Sequence, residues 1–593
     1  MPIDLKISKT EEISKIESDF SKHPDLPTHY SLNMNEDFFN EAYSSAENIS
    51  NINEKIYGGI APHHLFVKDK IASYFNLISG EDYKKVIFLA PNHFNAGKGD
   101  VVISKSRWET PFGYLEPDFD FISKLEVSDL IEIDEAPFSN EHSVSGLVGF
   151  IRKSLGEVKF TPIILKQGIS KDALDSLVAL MEKNIDEENT LVLSSVDFSH
   201  YQPVQAAEFH DMHSNAMIND FNLERVLGIE VDSPPSVYVL LRYLQSIGAE
   251  KSELIYHTNS GLIIEQDDEP STTHNFYVFQ KGENAKIDSV NFLFFGDLML
   301  DRYVRNRISA KGLDYLIDDL AGEEKRFFSG IDIVSANLEG AVTDGGKHYP
   351  PEKTNDFAFE PESVKALEGY GFNFFNLSNN HFFDQGNAGL TETRDFLDDN
   401  GFFYSGSHLR EINEDVYSII PAGSKKIAML GLNITAGMFD LDEARGLVEK
   451  LEKEADMTIV NIHWGVEYSG KQNQTQIDLA HSLIDAGVDL IIGHHPHVVQ
   501  GIEEYEGRLI FYSLGNFIFD QYFSKETQAG LAVGVDFSKD TKAYVFPLQS
   551  ALSKMSLMKD EAKNDFLQEL ALKSDIDDQQ KETLKKGFIS INN

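Results

Sequence analysis

The sequence predicts an α/β protein made of two α/β domains, and three observations carry that reading. The chain has 593 residues, well beyond the about 100–200 of one typical domain. Short apolar runs alternate with stretches of helical period through both halves, as βα units do. A polar break, Gln280-Lys-Gly-Glu-Asn-Ala-Lys-Ile-Asp288, separates the halves just ahead of the strongly apolar run Val290–Phe295.

Taken in order, residues 1–50 are polar, contain Pro24 and Pro27, and read as an N-terminal arm with short helices. Residues 51–280 form the first domain, with strands such as Val86–Ala90 and Leu191–Leu193 and helices such as Ile71–Leu77 and Leu174–Met181. Residues 288–552 form the second. Its buried strands are Val290–Phe295, Ile333–Ala336, Phe372–Leu377, Ile427–Leu430, Met457–Ile462, Val488–Ile492 and Leu509–Tyr512. In the tail, 553–593, Phe566, Leu567, Leu570 and Ala571 recur at helical spacing, which predicts an amphipathic packing helix.

Composition narrows the chemistry. With 96 Asp and Glu against 52 Lys and Arg the net charge is −44, which opposes any sequence-independent grip on nucleic acid or an anionic membrane. A 41% hydrophobic content, with 42 Phe and 22 Tyr, supplies a core and excludes disorder of the whole chain. There is no cysteine, so disulfides, thiolate metal sites and thiol nucleophiles are ruled out, and any metal must be held by His, Asp, Glu or Asn. The N-terminus lacks a signal-peptide apolar region and no apolar run nears the ~20 residues of a membrane helix, so a cytoplasmic location is expected. Phosphate-loop, His-Glu-x-x-His and Gly-x-Ser-x-Gly patterns are absent.

In the second half, apolar strands end on metal-type ligands: Asp297, Asn337 with Glu339, Asn380-His381, His463, and His495 with His497. Open α/β sheets bind ligands at the carboxyl ends of their strands, so these dispersed residues are expected to converge. The motifs Gly296-Asp-Leu-Met-Leu-Asp-Arg302, Ala336-Asn-Leu-Glu-Gly340, Leu377-Ser-Asn-Asn-His-Phe-Phe-Asp384, Ile462-His-Trp-Gly465, Gly493-His-His-Pro-His-Val498 and Tyr512-Ser-Leu-Gly-Asn-Phe517 resemble the poly-γ-glutamate capsule biosynthesis (CapA) family. That family is related to the calcineurin-like metallophosphoesterases. The resemblance implies a metallophosphoesterase sandwich with two divalent ions, Mn, Fe or Zn. Asp297 would bind the first and Glu339 would bridge. Asn380, His463 and His495 would hold the second, and His497 would return to the first. Asp297, His463 and His381 would be the catalytic residues, His381 handling a proton or transition-state charge. Met299 stands where the phosphoesterases carry a histidine, which leaves single-metal chemistry open. Trp464 is expected to pack beneath the site, and Asp384 and Asn516 to support it.

The first half carries Ala61-Pro-His-His64, Ala90-Pro-Asn-His93, Glu141-His-Ser143 and Ser194-Ser-Val-Asp-Phe-Ser-His-Tyr201, which resemble the Memo-like family, whose fold is similar to extradiol-type dioxygenases. The resemblance implies metal ligands at His63 and His93, with Asp197 and His200 lining the pocket and Glu141-His142 nearby. The family's Cys ligand falls on Val231; Asp232 is then a substitute oxygen ligand, against a pocket that has lost its metal. His210 and His213, three residues apart, read as an exposed polar helix face.

The leading expectation is a metal-dependent hydrolase of a phosphoester or related bond. Two others stand beside it: a non-hydrolytic protein of γ-glutamyl polymer synthesis or binding, and an oxidoreductase in the Memo-like half. The partner is a small-molecule or polymer substrate, with neither nucleic acid nor membrane, and the sequence assigns no oligomeric state.

Overall fold

The computed structural model describes residues 26–49, 52, 54–348, 355–538 and 540–592. Half of the expected N-terminal arm, residues 1–25, lies outside them. Of the rest, Glu36–Ser44 is a helix capped by the Asn35 side chain.

The chain packs as two compact units. The first holds the described residues up to Asp197 together with 232–257 and 274–284. Its sheet is centred on Lys85–Pro91, parallel to Lys159–Leu165 on one side and to Thr190–Ser195 on the other. Gly58–Ala61 follows, parallel to Thr190–Ser195, and Ser271–Gln280 runs antiparallel to it with Tyr277 beside Ile60. Helices such as Lys68–Ile78 cover the sheet, and Phe75, Phe88, Phe150 and Phe160 share one apolar core. The strands are therefore apolar on both faces, which is why they read as continuous runs.

The second unit contains two sheets. Among the described residues the larger has eight strands, with Val290–Leu298 between Ile333–Leu338 and the antiparallel Ala529–Phe537. The smaller has six, with Lys425–Asn433, Met457–His463 and Leu490–His494 parallel. The sheets face one another across a core in which Phe292 and Phe294 meet Ile427, Ile459 and Ile492. Helices Asp314–Ala321 and Gly386–Asp399 cover the outer face of the larger sheet, and Leu441–Leu451 and Gln474–Ile484 that of the smaller. The tail helix is present over Asp560–Lys573 and buries Leu567, Leu570 and Ala571, as the spacing predicts.

Two segments from within the first half of the sequence, 198–231 and 258–273, pack with the second unit. One includes helix Val204–Asn219, whose Phe209 joins the core around Tyr544 and Phe546. This corrects the reading of His210 and His213 as an exposed face: they are 2% and 4% exposed. Helical spacing shows that two side chains share a face, not what covers it. Here the cover includes Arg225, whose Nη2 lies 3.3 Å from His213 Nε2.

Candidate metal centres

In the second unit the strand ends converge. Asp297 lies on Val290–Leu298, paired in register with Asn337, and Asn337 Nδ2 donates to Asp297 Oδ1 at 2.8 Å. The other oxygen, Asp297 Oδ2, accepts the His495 backbone N–H at 3.2 Å and lies 3.3 Å from His497 Nδ1. His497 Nε2 is 3.7 Å and His381 Nε2 3.9 Å from Glu339 Oε1. On the other side His463 Nε2 meets Asn380 Oδ1 at 2.8 Å, and the His463 and His495 rings stand 4.7 Å apart. Every site residue expected in this half is thus brought into one cluster. His381 Nδ1 is 2.7 Å from Asp384 Oδ2, and His497 Nδ1 is 3.0 Å from Asn516 Oδ1, so both supporting residues fix a ring whose other nitrogen faces Glu339.

Backbone geometry permits the crowding. A Cβ on Gly493 would lie 2.1 Å from the Tyr512 carbonyl and 2.6 Å from Trp464 Nε1, and one on Gly296 would lie 1.9 Å from the Gly515 carbonyl. Trp464 is buried, donates to the Tyr512 carbonyl at 2.8 Å, and packs under the centre as expected. Met299 is buried in the apolar core, and its sulfur accepts the Asp301 backbone N–H.

The charges suit a cation. Both Glu339 oxygens are buried without a hydrogen-bond partner among the described residues, and burial, with the Asp297 charge, drives this carboxyl well above its ordinary range despite the opposing charge of His497. Burial would also raise Asp297, but the hydrogen bond and charge of His497 overcome it and hold that carboxyl below its usual value. Burial works against a charged His497, yet Glu339 and Asp297 lift it to about 9, so its proton takes the place between two carboxylates that a metal would occupy. Burial lowers His494 and His495 to about 4 and His463 well below its usual value, leaving neutral imidazoles fit to coordinate. An orphaned carboxylate among nitrogen and oxygen donors, at separations beyond hydrogen-bonding range, fits a divalent ion. The motifs did not single out Glu467, an exposed residue that offers a ligand atom to a group with His495 and His497. It stands four residues after His463, in the loop that follows the strand Met457–His463.

The first unit builds a second cluster at its own strand ends. His63 Nε2 lies 3.4 Å from Asp232 Oδ2 and 3.5 Å from Asp197 Oδ2, and His93 Nε2 lies 3.6 Å from the same Asp232 oxygen. Their other ring nitrogens are held, His63 Nδ1 by Ser195 Oγ at 3.1 Å and His93 Nδ1 by Glu141 Oε1 at 2.7 Å. The His142 ring stacks on His93 at 4.5 Å and joins His63 and His93 as a possible metal group. Among the described residues neither Asp232 oxygen has a hydrogen-bond partner. Burial lowers His63 to about 3 against the pull of Asp232, while Asp232 and Glu141 overcome burial and raise His93 to about 10. Burial also raises Asp197 to about 6. His64 points elsewhere, its Nδ1 2.9 Å from His274 Nε2. His200 lies on the short strand His200–Gln202 in the second unit and is not a member of these groups.

Residues 291–521 match the family described as Bacterial capsule synthesis protein PGA_cap, and residues 33–271 match Memo-like protein. The PGA biosynthesis protein CapA of Bacillus subtilis (strain 168) is 31% identical over 317 residues, 47% of this chain and 81% of that protein. A MEMO1 family protein of Nitrosopumilus maritimus (strain SCM1) is 30% identical over 221 residues, 35% of this chain and 79% of that protein. The chain belongs to both the CapA and the Memo-like families. The capsule biosynthesis protein CapA of Bacillus anthracis is 32% identical over 270 residues, 42% of this chain, but the chain spans only 64% of that relative. The CapA match holds the Asp297–His497 cluster entire, and the Memo-like match holds His63, His93, His142, Asp197 and Asp232. Among the described residues, no helix is long and apolar enough to cross a membrane.

Proposed function

We propose that the CapA-like unit is a metal-dependent hydrolase of a phosphoester or a chemically related bond in the synthesis of a capsule-type polymer. The carrying observation is Glu339, buried and without a hydrogen-bond partner among Asp297, His381 and His497. Asp297, Glu339 and His497 would hold one divalent ion, and Asn380, His463 and His495 a second, with Mn, Fe and Zn all compatible with this donor set. Such ions supply an activated water and offset charge on the transferred group. The protein's own part is orientation and proton handling. Asp384 fixes His381 through Nδ1, so His381 Nε2 faces the centre and is the site from which a proton reaches the leaving oxygen. The names of the CapA relatives favour a polymer pathway as the setting.

The experiment is metal analysis of the purified full chain with hydrolysis of p-nitrophenyl phosphate and its bis ester. Wild type should carry divalent metal, and the His463→Ala, His495→Ala double variant should lose metal and activity. A metal-free, inactive wild type overturns the reading. Metal bound without hydrolysis would favour the non-hydrolytic role in γ-glutamyl polymer handling.

The convergence of His63, His93 and Asp232 favours a separate metal site in the Memo-like unit, two histidines and a carboxylate being the non-haem Fe(II) set. His63→Ala with His93→Ala should remove that metal and leave the CapA-like metal in place. Oxygen uptake with Fe²⁺ and a catechol tests oxidoreductase chemistry there.

A further inference from the structure

The motif after the first strand of the CapA-like unit places a cation beside the centre. Asp301 is buried; its Oδ1 accepts the Arg302 backbone N–H at 2.7 Å and its Oδ2 accepts that of Ala358 at 3.0 Å. Arg302 is thereby held at φ 52° at the start of helix Arg302–Lys311, a left-handed conformation uncommon for a long side chain. Such strain persists only where the surroundings impose it, and it gathers at ligand sites.

The guanidinium carbon lies 4.9 Å from the Phe357 ring centre and 5.9 Å from that of Phe519. These rings touch the histidines of the centre, Phe357 at 4.2 Å from His381 and Phe519 at 4.9 Å from His497. Tyr468, 46% exposed, stands 6.1 Å from His497 and feels the charges of both Glu339 and Arg302. Arg302 is therefore one aromatic layer out from the metal-type ligands, with a third of its side chain exposed. Asp520 takes N–H groups from Nε and Nη2, and Asn355 Oδ1 takes one from Nη1 at 3.1 Å. A guanidinium has five N–H donors, so among the described residues each Nη still has one to offer. The Asp520 carboxylate offsets the charge of this guanidinium, so what Arg302 offers an oxyanion, within a chain of net charge −44, is its remaining N–H donors held in place by that pair.

We infer that Arg302 is a substrate-binding residue that takes an oxyanion, a phosphoryl or carboxylate group, of the molecule processed at the Asp297–Glu339–His497 centre. This rests on the hydrolase reading for what happens to the bound group, and goes beyond it in naming an anionic substrate and the residue that selects it. The forked, always-charged guanidinium suits an oxyanion better than a lysine would, because it can offer paired N–H groups in one plane.

The test is calorimetric binding of inorganic phosphate and of tri-γ-glutamate to the full chain, metal-loaded and chelated, for wild type, Arg302→Met and Arg302→Lys, with metal content measured on the same samples. Arg302→Met should weaken binding of one or both probes ~10-fold or more with metal content unchanged, and Arg302→Lys should weaken it less. The probe that suffers identifies the group, phosphoryl or carboxylate. Equal binding in wild type and Arg302→Met, or no binding of either probe by wild type, overturns the inference. Loss of metal from both variants also overturns it, by making Arg302 a support of the ligands. A wild type without metal defeats the hydrolase reading alone, since the chelated samples still report whether anion binding depends on Arg302.

Discussion

Glu339 is a buried carboxylate whose oxygens meet no hydrogen-bond donor among the described residues. Keeping a charge there costs several kcal/mol, so without metal the carboxyl takes up a proton, and a bound cation removes that cost. With chelator present, Glu339→Gln should therefore be at least as stable as wild type in chemical denaturation, and metal should stabilise wild type but not the variant. A variant that is less stable with chelator would refute this account. Asp536 offers a pH test away from the ligands. It is buried beside Ser289, and burial raises its carboxyl to about 6 from 3.8, against the Ser289 hydrogen bond. A raised carboxyl favours the protonated folded state, so its contribution is full below about pH 4 and falls as pH rises through 6, by about 3 kcal/mol in all. Asp536→Asn should flatten that part of the stability profile; an unchanged slope between pH 4 and 6 would count against it. At this scale the sequence was legible where a metal-type side chain stands at or just past the end of an apolar strand, as with Asp297, His463 and His495, which the fold brings into one cluster. Glu467 and His142 were less so, because neither ends an apolar strand: Glu467 stands in the loop beyond His463 and His142 opens the short helix His142–Ser145.

Close backbone approach decides the elements around the CapA-like centre. Gly493 lies on the strand Leu490–His494, where the Tyr512 carbonyl and the Trp464 indole leave no room for a methyl group. Gly493→Ala should therefore destabilise the protein by about 2–3 kcal/mol or more in urea denaturation and lower metal affinity, since His494 and His495 follow directly. A wild-type midpoint with full metal content would show that the strands can separate at no cost. The seven strands read in this half from apolar runs are all present. Tyr417–Ala422 was not legible, because at a sheet edge it alternates exposed and buried residues and shows no continuous run. The helix Val204–Asn219 was misread on its His210–His213 face for a related reason: its cover comes from residues remote in sequence.

At the scale of the whole molecule, the polar break at 280–288 holds one change of packing unit, between Asn284 and Ala285, but not the others. The second unit draws in 198–231 and 258–273, and Glu230 forms a buried ion pair with Arg326 at 2.6 Å. A fragment of residues 288–593 would leave Arg326 without that partner and uncover the apolar surface that Phe209 fills. Apolar surface left open to water costs stability, so the fragment should melt well below the full chain and bind a hydrophobic dye. A fragment that melts with the full chain would refute the interleaving. The sequence could not disclose this arrangement, because motifs mark families and strand ends, whereas the packing partners of a helix are set by contacts hundreds of residues away.

The same interleaving sets a clock on synthesis. The side chain of Gln205 donates to the carbonyl of Val545, 340 positions later. At about 5–20 residues per second, helix Val204–Asn219 waits tens of seconds on the ribosome before that carbonyl and the rings of Tyr544 and Phe546 exist. Until then its apolar side needs a temporary occupant, and a nascent chain arrested near residue 500 should bind chaperones more strongly than the released protein.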